Sequence, residues 1–476
     1  MGVPVGTAIF PVLFAQSPFA ACASPRARHM RTLHLTLLVG FAAAAPAAEP
    51  QPGWLHKLHG WFCHRHAHHR LCGIGGVVKP SESPPPHKPL PPPPPPPPPP
   101  SSTVYVMRHC ARSTYSGPDL KHSPVGRQYL ANYTDGGPLP DWGVGPSLCT
   151  ARGRHIVVAQ GSSMAAEFKE RSGSTPLKVF YDGTAERDNT TAHAMLEGLG
   201  LPGSLATSTP EIFHPQKANK LCPYLTAKEW QDAIKAQLAS IPPPSDLAQL
   251  LLELQTVLGR GTAPPIPDIE DIVSADGFWL GGIYVASAWA EVMLLQQGAG
   301  LPVGYGRVPR KKLYRLLKLH TYYRQIDDWN FVLAQRGQSN ILAHMLDDLA
   351  LPAEGAPTTA AGGGGQKAAL YVGHDAQLDG LGSILNLSWA APPFPRNATP
   401  PGSMLRITRT GGTGSAEVTI DFLYTTFEST AGDMHAENAS FAAGRRSMPL
   451  DEFNARVGGS IMWDCVRKNA TYHTRI

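Results

Sequence analysis

The feature that most constrains this chain is a run of ten consecutive prolines at positions 91–100. Proline has a fixed φ and no backbone N–H, so the run excludes helix and sheet and adopts an extended polyproline II rod of roughly 3 Å per residue. A packed domain must therefore lie to one side of the rod. The composition becomes globular from Ser102 onward, which places the fold downstream.

The first residues are predicted to serve export. Residues 1–48 are interpreted as a leader with a signal peptide, because Met30 is followed by an arginine, a short apolar run from Leu35 to Ala45, and small residues. The apolar run is too short to span a membrane. A weaker apolar patch precedes Met30, so the sequence leaves the start at Met1 or Met30 open.

Residues 49–102 are predicted to form a His-rich and Pro-rich disordered linker. Six histidines lie between His56 and His69, and Trp54, Leu58 and Trp61 share one helical face with neighbouring apolar residues. The segment 54–72 is therefore suited to contact with a metal or, when protonated, with a surface. The alternative is a solvated tether. Cys63 and Cys72 are able to close a small disulfide loop but do not have zinc-finger spacing.

Glycosylation sites and cysteines agree with export. Six Asn-x-Ser/Thr sites are acceptors only in a secretory pathway, and they lie at Asn132, Asn189, Asn386, Asn397, Asn438 and Asn469. Of the seven cysteines one, Cys22, lies in the leader, and the remaining six suit disulfides in an oxidising compartment. We therefore predict a secreted glycoprotein, extracellular or periplasmic. The net charge of +5 is spread along the chain, so no nucleic-acid partner is predicted.

Downstream of the prolines, strand and helix patterns alternate. The strand-like runs are TVYVM, LKVFY, AALYVG, MLRITR and AEVTIDFLY, with helical patterns between them. This alternation predicts an α/β domain. The middle of the chain is almost wholly helical in pattern. We therefore predict an α/β domain formed by residues 103–221 and 349–476, an α-helical insertion over 222–348, and a flexible surface loop over 355–366.

The first strand ends in Arg108-His109-Cys110-Ala111-Arg112, which places two nucleophiles side by side. A thiolate phosphatase needs an arginine after five intervening residues, where this chain has Ser116, and the local signature of papain-like enzymes is missing. The histidine interpretation is favoured instead. A neutral imidazole attacks phosphorus while guanidinium groups bind the phosphoryl oxygens bidentately. For any single arginine, the alternative is a surface salt bridge.

Two later segments supply matching chemistry. His374 and Asp375 follow a second apolar strand, where a protonated carboxyl is able to give its proton to a leaving alkoxide and the imidazole adds a donor. Arg187 follows a third strand and supplies another guanidinium. The alternatives are an Asp375 that only caps a helix, and an Arg187 that pairs with an adjacent carboxylate.

Together these motifs resemble the histidine acid phosphatases, branch 2 of the histidine phosphatase superfamily. Residues 108–112 match R-H-G-x-R except at Cys110, and residues 373–375 match G-H-D. Arg187 matches an R-T helix start in which Asp188 replaces Thr. The resemblance covers about 103–476 and is similar to the bacterial phytase and glucose-1-phosphatase group. It implies a phosphoglycerate mutase-like mixed sheet flanked by helices, with an inserted α-helical cap over the site.

The resemblance also implies an activity, namely hydrolysis of phosphomonoesters through a phosphohistidine. His109 is then the nucleophile and Asp375 the acid, with an acidic optimum if Asp375 must be protonated. No cofactor or metal is implied. The substrate is a small phosphomonoester, with inositol phosphates and sugar phosphates as equal candidates. The remaining implied roles are phosphate binding by Arg108, Arg112, Arg187 and His374, and leaving-group contacts by Thr114, Gln377, Arg336 and Glu291.

The cysteines bear on one predicted disulfide and on the activity of the site. Cys222 and Cys465 occupy positions that resemble a disulfide of that group, whereas Cys110 and Cys149 are left either free or paired. Glycine at the motif position lets the backbone approach phosphate closely, and Cys110 replaces it. The alternative function is therefore a catalytically weak or inactive family member that binds phosphate or polyanions.

Overall fold

The computed structural model describes eleven stretches of the chain: 101–115, 124–125, 128–172, 176–214, 222–259, 266, 281–349, 367–412, 414–428, 432–441 and 444–466. The predicted leader, the His-rich and proline-rich segment with Cys63 and Cys72, and the loop 355–366 lie outside these residues.

A mixed sheet organises the fold. Its strands lie in the order β10-β9-β8-β1-β6-β4-β5, and β12 also pairs with β9. Strands β1, β6, β4 and β5 are parallel, whereas β8, β9, β10 and β12 pair antiparallel. Two short pairs, β2–β3 and β7–β11, lie apart from this sheet. The strands are β1 Ser101–Arg108, β2 Pro124–Val125, β3 Gln128–Tyr129, β4 Lys178–Tyr181, β5 Ala206–Ser208, β6 Lys367–Gly373, β7 Leu387–Ser388, β8 Met404–Thr410, β9 Glu417–Tyr424, β10 His435–Asn438, β11 Ser440–Phe441 and β12 Ser447–Pro449.

Helices flank the sheet and extend beyond it. They are α1 Ala151–Ser172, α2 Glu186–Leu199, α3 Pro210–Phe213, α4 Ala227–Ser240, α5 Leu247–Leu258, α6 Gly282–Ala299, α7 Arg310–Ile326, α8 Phe331–Leu349, α9 Asp375–Ile384 and α10 Leu450–Ser460. Short 3-10 turns cover Leu130–Tyr133, Gly203–Leu205 and Trp463–Cys465. Within the described residues, no helix combines the length and the hydrophobicity that a membrane crossing requires.

The central strand β1 is buried on both faces, as a strand covered by helices on either side must be. Tyr105 and Met107 pack with residues of α1 and α2, whereas Val104 and Val106 pack with residues of α8 and α9. Helices α1 and α2 cross so closely at Gly161 that a Cβ there would lie 2.6 Å from a backbone oxygen of α2. The five strand predictions and the mixed α/β fold class are thus confirmed.

The described cysteines form two disulfides. Cys222 and Cys465 are bridged with a Cα–Cα distance of 4.4 Å, which joins the segment before α4 to the C-terminal 3-10 turn, as the resemblance implies. Cys110 and Cys149 are also bridged, with a Cα–Cα distance of 5.8 Å. The sequence left these two cysteines either free or paired, and the structure pairs them with each other.

Candidate active site

The carboxyl ends of three parallel strands meet at one edge of the sheet. Register pairs Arg108 of β1 with Gly373 of β6, and Tyr181 of β4 with Val372 of β6. The residues that follow these strands therefore emerge side by side, which is where open α/β sheets place their ligands. His109 follows β1, Asp182 follows β4, and His374 follows β6. The predicted site residues come together because of this register.

A cavity of about 320 Å³ opens at this edge. Six predicted site residues line it from the sheet side, namely His109, Arg112, Thr114, Arg187, His374 and Asp375. The opposite wall is helical and includes Tyr284 and Glu291 of α6 and Tyr323, Arg324, Asp327 and Asp328 of α7. The predicted residue Glu291 thus lies in the cavity, on the helical wall.

His109 has a defined ring orientation. Its side chain is buried, and Nδ1 lies 2.8 Å from the carbonyl oxygen of Cys110, so Nδ1 donates and Nε2 keeps its lone pair. Burial lowers the pKa of His109 well below its ordinary value, and the guanidinium groups of Arg187 and Arg108 lower it further. Both effects favour the neutral imidazole, which is the form that attacks phosphorus.

Arg108 and Arg112 are anchored by backbone and carboxylate oxygens. Arg108 donates to the carbonyl of Thr399 (2.5 Å) and to Glu291 (2.7 Å), and its Nη2 lies 3.0 Å from Asp375 Oδ2. Arg112 donates to the carbonyl of Ser113 (3.0 Å) and lies 3.4 Å from the same Glu291 oxygen. These contacts fix both guanidinium planes against the cavity, and they place Glu291 between two cations.

Arg187 joins α2 to the residue after β6. It lies in the first turn of α2, donates to Ser147 Oγ (2.8 Å), and places Nη2 3.3 Å from Nδ1 of His374. His374 Nε2 lies 3.1 Å from Asp182 Oδ2, which also contacts His214 Nε2 at 2.6 Å. The His374 ring is thus held from both sides. Asp182 stays ionised, because hydrogen bonds from His214 and His374 lower its pKa against the raising effect of burial.

Asp375 is the first residue of α9 and lies between two arginines. Its oxygens are 3.0 Å from Arg108 Nη2 and 3.3 Å from Arg324 Nη2. Burial raises the pKa of Asp375, but the guanidinium groups of Arg108 and Arg324 outweigh it and hold the pKa well below its usual range. In this arrangement the group is a carboxylate. It becomes an acid only when anionic charge offsets the two arginines.

Two residues predicted to contact the leaving group do not line the cavity, for different physical reasons. Gln377 lies in the first turn of α9, and its Oε1 accepts from the backbone N–H of His374 at 2.7 Å, so the side chain caps the helix instead of lining the cavity. Arg336 lies on α8 and donates to the carbonyl of Pro223 at 3.0 Å, away from the cavity.

Sequence reasoning missed several residues of this site. Asp182 carried a usable signal, because it follows a predicted strand just as His109 and His374 do. Arg324 and Tyr284 carried none, since a helical pattern does not say which face looks toward a cavity, and His214 lies just after the short helix α3, where no motif marks it. Arg324 lines the cavity and binds Asp379 (2.7 Å), Asp328 (2.9 Å) and Asp375 (3.3 Å), so it holds the predicted acid in place.

Residue types that bind metals also converge here. Three groups bring their ligand atoms within 4.8 Å of one another, namely His109/Asp188/His374, Asp182/His214/His374 and Glu291/His320/Asp375. Each group adjoins at least one guanidinium, that of Arg187 or Arg108. Because these positive charges oppose a second cation, we assign no metal ligands among the described residues.

The disulfide beside the nucleophile fixes its loop. Cys149 precedes α1 and forms an antiparallel bridge with Arg112, while the N–H of Cys110 donates to Thr191 Oγ1 of α2 at 2.9 Å. The Cys110 side chain therefore points away from the cavity, into the core between the sheet and α1 and α2. A Cβ at the motif glycine position is accommodated in this way.

We predict that replacing this disulfide by Cys110→Ala/Cys149→Ala lowers the free energy of unfolding by about 4 kcal/mol, from the entropy of a closed loop with a separation of 39 residues. Urea unfolding of the wild type and the double variant, both kept oxidised so that Cys222–Cys465 stays closed, measures it. A loss below about 1 kcal/mol would show that the bridge does not constrain the unfolded chain.

Comparisons with known proteins agree with this architecture. No protein-family model matches the chain. Phytase AppA of Escherichia coli (strain K12) is 37% identical over 142 residues, which cover 28% of this chain and 31% of that protein. The match therefore spans less than a third of that relative's length.

Solved structures match over most of the chain. The Hafnia alvei phytase superposes with a TM-score of 0.62 at 21% identity, covering 76% of this chain and 97% of that one. The Klebsiella sp ASR1 phytase gives 0.62 at 18% identity, covering 78% and 98%. The Citrobacter braakii phytase gives 0.59 at 21% identity, covering 77% and 98%. The chain therefore has the fold of the bacterial phytases, as its resemblance to the histidine acid phosphatases implies.

Proposed function

We propose that the chain is a histidine acid phosphatase that hydrolyses phosphomonoesters through a phosphohistidine at His109. One observation carries the proposal. Three separate parts of the chain contribute side chains to a single cavity, namely His109, Arg112, Arg187, His374 and Asp375. The guanidinium of Arg108 lies 3.0 Å from the carboxylate of Asp375. Such a gathering of guanidinium groups around a neutral imidazole matches the needs of phosphoryl transfer.

In the proposed first half-reaction, Arg108, Arg112, Arg187 and His374 bind the non-bridging oxygens. Nε2 of His109 attacks phosphorus in line with the ester oxygen. The phosphorus–oxygen bond breaks, and Asp375 gives its proton to the leaving alkoxide. The dianionic phosphoryl group offsets the charge of Arg108, which removes the main cause of the low pKa of Asp375. An acidic optimum follows from this need for a proton.

In the second half-reaction, Asp375 accepts a proton from the water that attacks the phosphohistidine. Phosphate leaves and His109 is restored. The guanidinium groups neutralise the charge that develops on the phosphoryl oxygens, a task that metal ions perform in many other phosphoryl-transfer sites. We therefore propose a reaction that proceeds without a cofactor.

The leaving group occupies the helical side of the cavity. That wall carries Glu291, Asp327 and Asp328, with Arg324 the single cation among its described residues, and it also offers Tyr284 and Tyr323. The Hafnia alvei phytase has been solved with myo-inositol hexakis sulphate, which supports a phosphorylated polyol as substrate. Burial raises the pKa of Asp327 and Asp328, and Glu291 is paired with Arg108, so the carboxyl groups of this wall do not discriminate against a highly charged substrate, and inositol phosphates and sugar phosphates stay equal candidates.

The organisation of the chain fits this proposal. Helices α6 and α7 lie within the segment 222–348 and form the wall opposite the sheet, which supports a cap, whereas α8 at the end of that segment packs against β1 and belongs with the sheet. The two disulfides support export to an oxidising compartment. We accordingly propose a secreted or periplasmic enzyme, with residues 1–48 as its leader and a linker that starts at residue 49 and ends before β1, since Ser101 and Ser102 belong to that strand.

Phosphate release from glucose 1-phosphate, 4-nitrophenyl phosphate and phytate at about pH 4–6 tests the proposal, together with calorimetric binding of phosphate. A phosphatase releases phosphate from at least one ester. The alternative function, a phosphate- or polyanion-binding protein without activity, predicts binding but no release from any of them.

A further inference from the structure

A buried carboxyl group behind the phosphate site has no role in the mechanism above. Asp188 lies in the first turn of α2, directly after Arg187, and its side chain is inaccessible to solvent. Neither of its carboxylate oxygens has a hydrogen-bond partner among the described residues. A buried carboxylate without a partner costs several kcal/mol, so this group requires an explanation.

The carboxyl group of Asp188 lies near the ring of His374 and, at a greater distance, near that of His109. Asp188 Oδ2 lies 3.4 Å from Nε2 of His374, and a carboxylate oxygen of Asp188 also lies within 4.8 Å of a ring nitrogen of His109. The charged and titratable groups around it are Arg187 on its own helix, Asp182 after β4, His374 and Asp375 after β6, and His109 and Arg112 after β1.

An ionised Asp188 would act against the proposed site. A negative charge there would neutralise part of the effect of Arg187 and Arg112 and would repel a bound dianion. A neutral carboxylic acid instead offers an O–H donor. Burial raises the pKa of Asp188 to about 8, Asp182 and Asp375 raise it as well, and Arg187 and Arg112 lower it. The group is therefore protonated at neutral and acidic pH.

The O–H of Asp188 finds an acceptor if His374 changes its tautomer. In this arrangement Nδ1 accepts from Arg187 and Nε2 donates to Asp182. When Arg187 turns to a phosphoryl oxygen, Nδ1 faces an anion and needs a proton of its own. The neutral imidazole provides one if the proton moves to Nδ1, which leaves a lone pair on Nε2. Asp182 then loses its hydrogen bond from His374 and keeps those from His214 and Thr184, and its oxygen 3.1 Å away opposes a bare lone pair on Nε2, so Nε2 needs a proton donor from another side.

We propose that Asp188 is a positioning residue of the phosphate site: as a neutral acid it donates its O–H to Nε2 of His374, so that Nδ1–H of His374 points at a phosphoryl oxygen. The proposal rests on the phosphatase function and adds to it a residue that the family motif does not supply, because Asp188 stands where the family pattern has Thr.

Sulfate binding tests the proposal without turnover, because the charge of sulfate is constant between pH 6 and 9.5. Calorimetry on the wild type should show an affinity that falls above pH 8 by at least about tenfold, as Asp188 ionises and loses its proton. Asp188→Asn keeps a donor that does not titrate, so its affinity should stay near the wild-type value at pH 6 and change less than about threefold up to pH 9.5. Asp188→Leu has no donor and should bind weakly at every pH.

A pH-independent wild-type affinity would overturn the proposal. So would an Asp188→Asn variant that folds, as judged by circular dichroism, yet binds as weakly as Asp188→Leu, since Asp188 would then act as a carboxylate. Failure of the phosphatase function gives a different result, namely sulfate binding with the expected pH profile but no phosphate release. Absence of sulfate binding at pH 6 in wild type and Asp188→Asn would overturn the phosphate site and this inference together.

Discussion

Replacing the nucleophile, His109→Ala, is expected to lower kcat for every phosphate ester by on the order of 10⁴-fold or more, the loss typical when a covalent nucleophile is removed. The physical reason is that no other described side chain in the cavity presents a neutral nitrogen to phosphorus. His374 is held between Arg187 and Asp182 and is not free to replace it. Initial rates of phosphate release measure the effect.

The matched control is His155→Ala, which removes an exposed imidazole from α1 and should leave kcat unchanged. Binding of sulfate to His109→Ala should be retained, since the arginines supply most of the attraction. A variant that keeps more than about a tenth of wild-type kcat would show that His109 does not carry the phosphoryl group.

The second large effect is expected for Asp375→Asn. An amide has no proton to give to an alkoxide, so kcat/KM for glucose 1-phosphate, which reports the phosphorylation step and not the later hydrolysis, should fall by about 10²–10⁴-fold, the usual contribution of a general acid. The loss should depend on the leaving group. 4-Nitrophenolate leaves without protonation, so the loss for 4-nitrophenyl phosphate should be at least about tenfold smaller. The ratio of the two losses is the readout.

The ratio of the two losses distinguishes a missing proton donor from a disturbed arrangement of the neighbouring arginines. A variant that only disturbs the contacts of Arg108 and Arg324 should lose activity equally on both esters. Asp451→Asn, on the exposed first turn of α10, is the control and should lose none. Equal losses with the two esters in Asp375→Asn would assign the proton transfer to another group.

The sheet side of this site could be predicted from the sequence, and the helical side could not. His109, His374 and Asp375 follow apolar strands, and the carboxyl ends of parallel strands meet at one edge. That rule is local and needs only the strand pattern. Asp182 follows the same rule and was predictable in principle. Arg324 and Tyr284 depend on how α6 and α7 rotate against the sheet, which a helical period alone does not determine.

The side-chain direction of Gln377 and the pairing of Cys110 also depend on tertiary structure that the sequence pattern does not determine. Gln377 was expected near the leaving group because the resemblance implies a contact at its position, yet an amide in the first turn of a helix readily returns to cap the preceding backbone N–H. The Cys110–Cys149 pair was left open because cysteine counts do not determine connectivity. Its geometry explains how a side chain replaces the motif glycine, since the Cβ at position 110 is turned into the core.

The most direct measurement maps the phosphoryl group itself. The protein is mixed with a ³²P-labelled ester, quenched in alkaline denaturant and digested, and the labelled peptide is sequenced by mass spectrometry. The account predicts one phosphohistidine, on His109, that is absent from His109→Ala and accumulates when Asp375→Asn is given 4-nitrophenyl phosphate. Label on another residue, or steady hydrolysis with no labelled peptide, would contradict it.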